Sequence, residues 1–405
     1  MKKTLTTLLS GCLVVVALSS ISAAQEPSES EAFLERLKGI FANMLNEALA
    51  KPYEGLSTSE GIQTGLFPIR DTGASTKAIS DAAKILISSM SSAQRESMQF
   101  PVDDSEWRNW SNVDLGIFPR QGVSLEEMSF SQKAAAWGLL EASLSEEGVQ
   151  QSRSIMKTDQ TLREINNDTV RYGEEYYYFT IMGTPSETEP WGWQLDGHHL
   201  ILNFFVLDSQ VVMTPAFWGG EPVHAKTGKY AGNIVLQEEQ DKGLAFMQAL
   251  TSPQQEKAVL RTVKSDGESD TLAAANMDNL TLDYAGIAGR DLTSLQKLEL
   301  LSLIRTYIGN LREPHANISM EEIGIHIDST YFAWVGAAED DAVFYYRIHS
   351  PVVLIEFDHQ APIGATSINP AGIPTRDHIH TIVRTPNGND YGKDLLAQHL
   401  ESHPH

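Results

Sequence analysis

Histidines are the residues of this chain best suited to chemistry, and their spacing is uneven. Asp196-Gly197-His198-His199 lies in a strand-like segment, and Asp377-His378-Ile379-His380 opens another near the C-terminus. Side chains two apart on a strand share a face, so His378 and His380 point the same way with Ile379 opposite. Two imidazoles so placed can chelate an ion lying about 2 Å from each ring nitrogen. A strand through Gly197-His198-His199 sends the two rings to opposite faces, so only one of them joins a given site. His198 shares its face with Asp196, which gives one ligand and one carboxylate to orient it. The expected ligand set is therefore His198, His378 and His380 around a divalent metal. Zinc and copper both suit such an all-nitrogen set. Asp196, His349 or His199 is expected to complete or orient the shell.

Other groups offer weaker chemistry. Tyr345, Arg347 and His349 alternate onto one face of a strand. There Arg347 could clamp a carboxylate or phosphate, and a salt bridge to one of the many acids is the plainer reading. Trp193 and Trp218 could line an organic-ligand pocket or simply fill the core. Asp390 stands where the last helix begins and reads as its N-cap. No serine sits in a nucleophile elbow, and no glycine-rich phosphate loop follows a strand, so a nucleotide fold has no support.

The elements that must carry these residues are signalled by four capping boxes: Ser91/Gln94, Ser129/Gln132, Thr251/Gln254 and Thr293/Gln296, each preceded by Met or Leu. In such a box the hydroxyl accepts from the third backbone amide and the Gln reaches back to the cap. An aromatic strand pattern follows each pair, Tyr177-Tyr178-Phe179 and then Thr330-Tyr331-Phe332. From there two stretches align without a gap: Gly183 falls on Gly336, Trp193 on Tyr346 and Phe204 on Phe357. The expected fold is α+β and internally duplicated. Each half has capped helices leading into an antiparallel strand set, with the halves related by a pseudo-two-fold axis. The halves are placed at 75–235 and 236–405, after a helix and connecting loop at 25–74. Helices are expected at 30–50, 75–90, 91–100, 128–146, 238–250, 251–261, 293–309 and 391–400. Strands are expected at 176–181, 193–206, 211–217, 323–335, 343–357 and 378–384.

The first 24 residues read as an export signal: Lys2 and Lys3, a short apolar run from Leu8 to Leu18, and a small-residue cleavage site at Ser22-Ala23-Ala24. Leu9-Ser10-Gly11-Cys12 is similar to a lipoprotein box, but the apolar run continues past Cys12, so cleavage after Ala24 is the expectation. The mature protein is then periplasmic or secreted. Cys12 is the chain's single cysteine, so the mature chain has no thiol chemistry. Removing two lysines leaves 28 of the 30 basic residues against 53 acidic, a net charge of about −25. That charge disfavours nucleic acid and anionic membranes as partners. No later segment is apolar enough for a membrane span, and a metal or small molecule is the expected partner.

The quoted residues resemble an uncharacterised family catalogued as domain of unknown function 3500. The resemblance rests on Gly197-His198-His199-Leu200 with Asn203-Phe204, Thr214-Pro215 with Phe217-Trp218-Gly219, Tyr345-Tyr346-Arg347-Ile348, and Asp377-His378-Ile379-His380 with Asn389-Asp390-Tyr391-Gly392. Where the family has Asn before His-x-His, this chain has Asp377. Where the family tends to Trp-Arg after it, this chain has Val383-Arg384. The resemblance implies no reaction. Two functions of different class remain: a metal-dependent exported hydrolase, and a non-enzymatic periplasmic protein binding a metal or small ligand between its halves.

Overall fold

The computed structural model describes residues 29–264 and 269–403. The expected export signal and its cleavage site lie outside the described residues. The fold is α+β, with one large mixed sheet at its centre. Four strands come from the first part of the chain: β1 (Tyr177–Gly183), β2 (Trp191–Gly197), β3 (Leu200–Leu207) and β4 (Ala216–Gly220). Four come from the second: β5 (Tyr331–Gly336), β6 (Phe344–His349), β7 (Leu354–His359) and β8 (Ile379–Arg384). Their order across the sheet is β1-β2-β3-β4-β8-β7-β6-β5, and every neighbouring pair among these eight is antiparallel. A short strand runs parallel to each outer member, Gln99–Phe100 beside β1 and Val259–Arg261 beside β5.

Pairing registers repeat between the two sets. Ile181 faces Trp193 and Trp193 faces Phe204; likewise Trp334 faces Tyr346 and Tyr346 faces Phe357. Ring stacking follows the register, at 4.8 Å for Trp193–Phe204 and 5.0 Å for Tyr346–Phe357. These residues belong to the apolar face of the sheet, which the helices cover. Gly243 on α6 (Gln237–Ala249) meets the Tyr346 ring so closely that a Cβ would lie 2.1 Å from it. The Tyr346 hydroxyl donates to the Glu239 carbonyl of the same helix.

The opposite face carries Gln194, Asp196, Asn203, Glu356, Asp358, His380 and Arg384, all buried. It is covered mainly by loops and short 3₁₀ turns, among them Ser105–Arg108, rather than by α-helix. Trp107 lies on Gly192, where a Cβ would come within 2.4 Å of the indole. Arg384 reaches the carbonyls of Ala273 and Ala274. An irregular cover suits a polar face because loop amides and carbonyls bond the side chains beneath them.

After α1 (Glu29–Leu49) and α2 (Lys77–Ser89), all four capping boxes form, at the starts of α3 (Ser92–Met98), α4 (Phe130–Ser143), α7 (Ser252–Ala258) and α8 (Ser294–Ile308). The glutamines also hold one another in pairs, Gln132 Nε2 to Gln94 Oε1 at 2.8 Å and Gln296 Nε2 to Gln254 Oε1 at 2.8 Å.

Several expected elements need correction. The single strand at 193–206 is two strands, β2 and β3, joined by a turn at His198-His199, and 343–357 is likewise β6 and β7. Helix α5 (Glu146–Asn166) was not expected, because its sequence is polar and lacks a clean apolar stripe. Residues from 323 were expected to be strand, but His315–Ile325 is helix and β5 starts at Tyr331. The last helix begins at Lys393 behind Gly392, and Asp390 does not cap it. The Asp390 carboxylate instead accepts from the Thr385 amide and pairs with Arg384. Burial raises the Asp390 pKa to about 6, against the pull of Arg384.

Candidate metal centre

Three imidazole nitrogens meet at one end of the β3, β4 and β8 strands. His378 Nε2 is 3.0 Å from His380 Nε2, and His199 Nε2 is 3.1 Å from the same atom. All three ligand atoms lie within 4.8 Å of one another. Nitrogens about 2.05 Å from a tetrahedral ion stand about 3.3 Å apart, so the two spacings at His380 come within a few tenths of an ångström of that value, and a shift of the His199 or His378 ring would close the third.

Strand pairing brings these residues together. His380 sits opposite Gly219 of β4, and the Gly219 amide donates to the His199 carbonyl at 2.7 Å. A Cβ on Gly219 would lie 3.1 Å from the His199 ring, so the small residue makes room for it. His378 and His380 share a face, as their spacing requires, and Ile379 is buried on the other side.

The third nitrogen comes from His199. Gly197 pairs with Leu200, which leaves His198 and His199 as the two residues of a hairpin turn, with His199 at a φ of 62°. Strand alternation does not apply inside a turn, so the rings do not point to opposite faces. They lie side by side instead, 3.9 Å between centroids. His198 therefore flanks the cluster from the far side of His199, and its Nδ1 lies 2.6 Å from Asp159 Oδ1 on α5.

Hydrogen bonding fixes how the rings are used. His378 Nδ1 lies 2.7 Å from the Ala361 carbonyl, which can only accept, so that nitrogen carries the proton. With Nδ1 donating there, the lone pair of an uncharged ring lies at Nε2, toward the other two rings. A ring nitrogen holds either one proton or one lone pair, so the two contacts at His380 Nε2 cannot form a donor-to-acceptor chain through that atom. A cation accepts all three lone pairs at once. Burial drives the pKa values of His199 and His380 well below the usual histidine value, helped by the neighbouring rings, and keeps them neutral as ligands must be.

Around the cluster, Glu221 lies 3.9 Å from His378 Nδ1, while its oxygens accept the amides of Ile363, Gly364 and Ala365. Asp196 does not orient His198. It pairs with Arg120 at 3.0 Å, and burial raises its pKa to about 6. Trp193 and Trp218 are buried in the core among aliphatic and aromatic side chains. Arg347 and His349 lie on β6, two strands away from β8.

Two of these findings had signals in the sequence. A stretch of 14 residues is long for one strand, which foretells a turn inside 193–206. Ser145 followed by two glutamates is a helix start, and it opens the helix that carries Asp159. A separate cleft of about 1200 Å³ lies between α5, α6 and α8, lined in part by Gln151, Glu239 and Asn310, and none of the clustered histidines lines it.

Residues 72–393 match the sequence model of a family described as protein of unknown function (DUF3500). No curated protein and no solved structure matches the chain.

Proposed function

We propose, for a chain that belongs to the DUF3500 family, an exported metalloprotein whose ion is held by His199, His378 and His380. The convergence of three buried Nε2 atoms, one tautomer being set by the Ala361 carbonyl, carries this reading. The donor set suits zinc or copper. Three protein ligands leave one tetrahedral position for water, and a bound ion would lower that water's pKa towards about 7. The chemistry best suited to such a centre is hydrolysis. His198 supports it: with Nδ1 held against Asp159, its other nitrogen is left to accept a proton beside the site. The burial of the rings, at 4%, 1% and 8% exposure for His199, His378 and His380, favours a second reading, a non-enzymatic protein that stores or carries the ion.

Duplication about a pseudo-two-fold axis is part of the same proposal. The mirrored strand order and the repeated registers support it. Export rests on the leader read from the sequence. Among the described residues no helix is long and apolar enough to cross a membrane.

Elemental analysis of protein purified without an affinity tag tests the centre. About one equivalent of zinc or copper per chain is expected. His378→Ala with His380→Ala should abolish it while circular dichroism stays native. Loss of the fold with no metal in the parent protein would sink the proposal and leave the histidines as structural hydrogen-bonding groups.

A further inference from the structure

Among the described residues, buried arginines are paired, with one exception. Arg108 meets Asp278, Arg120 meets Asp196, and Arg384 meets both Asp278 and Asp390. Arg347 is 4% exposed, and its Nε has no hydrogen-bond partner among the described residues. No carboxylate among those residues forms an ion pair with it, so the salt bridge expected for Arg347 is not there. Its cross-strand neighbour Glu356 is turned to other donors: the amides of Leu272 and Ala273 and the hydroxyl of Tyr345 at 2.6 Å. Two residues along the same face, His349 is 1% exposed and its Nδ1 is also without a partner. Glu356 offsets part of the guanidinium charge, but a buried Nε–H without an acceptor and an unmet ring nitrogen on one face are both unfavourable in a protein interior, and one anion would satisfy both.

We propose that Arg347 and His349 form an internal site for a small oxyanion, a carboxylate or a phosphate, on the loop-covered face of the sheet. The planar guanidinium offers a two-pronged donor set that fits either anion. His349 adds a neutral N–H, because burial, together with the adjacent Arg347, lowers its pKa to about 3. The Tyr284 ring lies 4.6 Å from the His349 ring and stacks on Tyr331, so these two rings bound the site on one side. The site uses none of the clustered histidines, and β7 lies between its strand and β8.

Isothermal titration of the full chain with sodium phosphate and with sodium acetate, at constant ionic strength in a chloride background, tests the site. Saturable binding of at least one anion is expected, weakened at least tenfold in Arg347→Gln and unchanged when the parent protein is first dialysed against EDTA. The tighter of the two anions identifies the ligand geometry. Absence of saturable binding in the parent protein overturns the proposal, and so does equal binding by Arg347→Gln. Should that variant not fold, a crystal structure of the parent protein grown in phosphate decides. An oxyanion within hydrogen-bond distance of the Arg347 guanidinium supports the site, and water alone there overturns it.

Discussion

At the scale of single residues, the difference between His198 and His199 decides the chemistry. Both are histidines in one turn, but only His199 directs Nε2 at His380. His199→Ala is therefore expected to reduce metal affinity at least tenfold, the effect of losing one of three ligands. His198→Ala should keep the metal and instead alter any pH dependence of activity, since it removes the ring that pairs with Asp159. Metal stoichiometry after dialysis separates the two. An empty site in the His198 variant and a full one in the His199 variant would contradict this assignment. The sequence showed the common face of His378 and His380 because side-chain alternation is a local property of a strand. It did not show which neighbour of Gly197 would complete the set, because that depends on where the hairpin turns. A second residue-scale prediction concerns Glu106. Burial raises its carboxyl pKa to about 8, with Asn109 opposing and Asp196 and Asp104 adding to the rise. The folded chain thus holds a proton that the unfolded chain releases near pH 4.5. The stability this brings is complete below that pH and is lost as the pH rises towards 8. Glu106→Gln should gain on the parent by about 2 kcal/mol or more between pH 5 and pH 8.5, read from urea midpoints at each pH.

At the scale of elements, the capping boxes were legible because they are written in four consecutive residues. What they do together was not. Each glutamine caps its own helix and also bonds the glutamine of the partner box, across 38 residues in one case and 42 in the other. The boxes therefore fix one helix start against another. Gln132→Ala should cost about 1–2 kcal/mol of unfolding free energy, a cap's worth plus a buried bond. In a double-mutant cycle with Gln94→Ala the pair should show coupling of at least about 0.5 kcal/mol. Additive effects would mean that the boxes act separately. Helix α5 was missed for the opposite reason. Its buried side includes Ser152, Thr158 and Asp159, so no apolar stripe marks it, and its place is set by what those polar groups bond after folding.

At the scale of the whole molecule, the α+β class followed from helix runs leading into strand runs, and the described chain has that class. The two faces of the sheet were less legible. Alternation told which residues share a face, but not that one face would be roofed by helices and the other by loops. The loop face is closed by a buried knot in which Asp278 meets Arg108 and Arg384, and the hydroxyl of Tyr391 donates to the same carboxylate. Arg108 also reaches the carbonyls of Ala48 and Lys51, and Tyr53 reaches the Asp390 carbonyl, so segments far apart in sequence meet there. Contacts of that separation leave no local pattern for a sequence reading to find.

The place of β8 in the sheet has a consequence for the order in which the chain can fold. It is the last of the strands in sequence, yet it lies between β4 and β7 in the centre of the sheet. Until residues 379–384 have emerged, β4 and β7 each present an unpaired edge, and these edges can recruit other chains. His380 arrives on the same strand, so the histidine cluster and the closure of the sheet are completed together. A chain ending at residue 370 should therefore aggregate rather than persist as a soluble monomer on size-exclusion chromatography. A stable monomer with native strand content would show that the two strand sets stand alone. The final few dozen residues thus act as a checkpoint on synthesis, and a chain that stops short of them has neither a sealed sheet nor the histidine pair of the proposed centre.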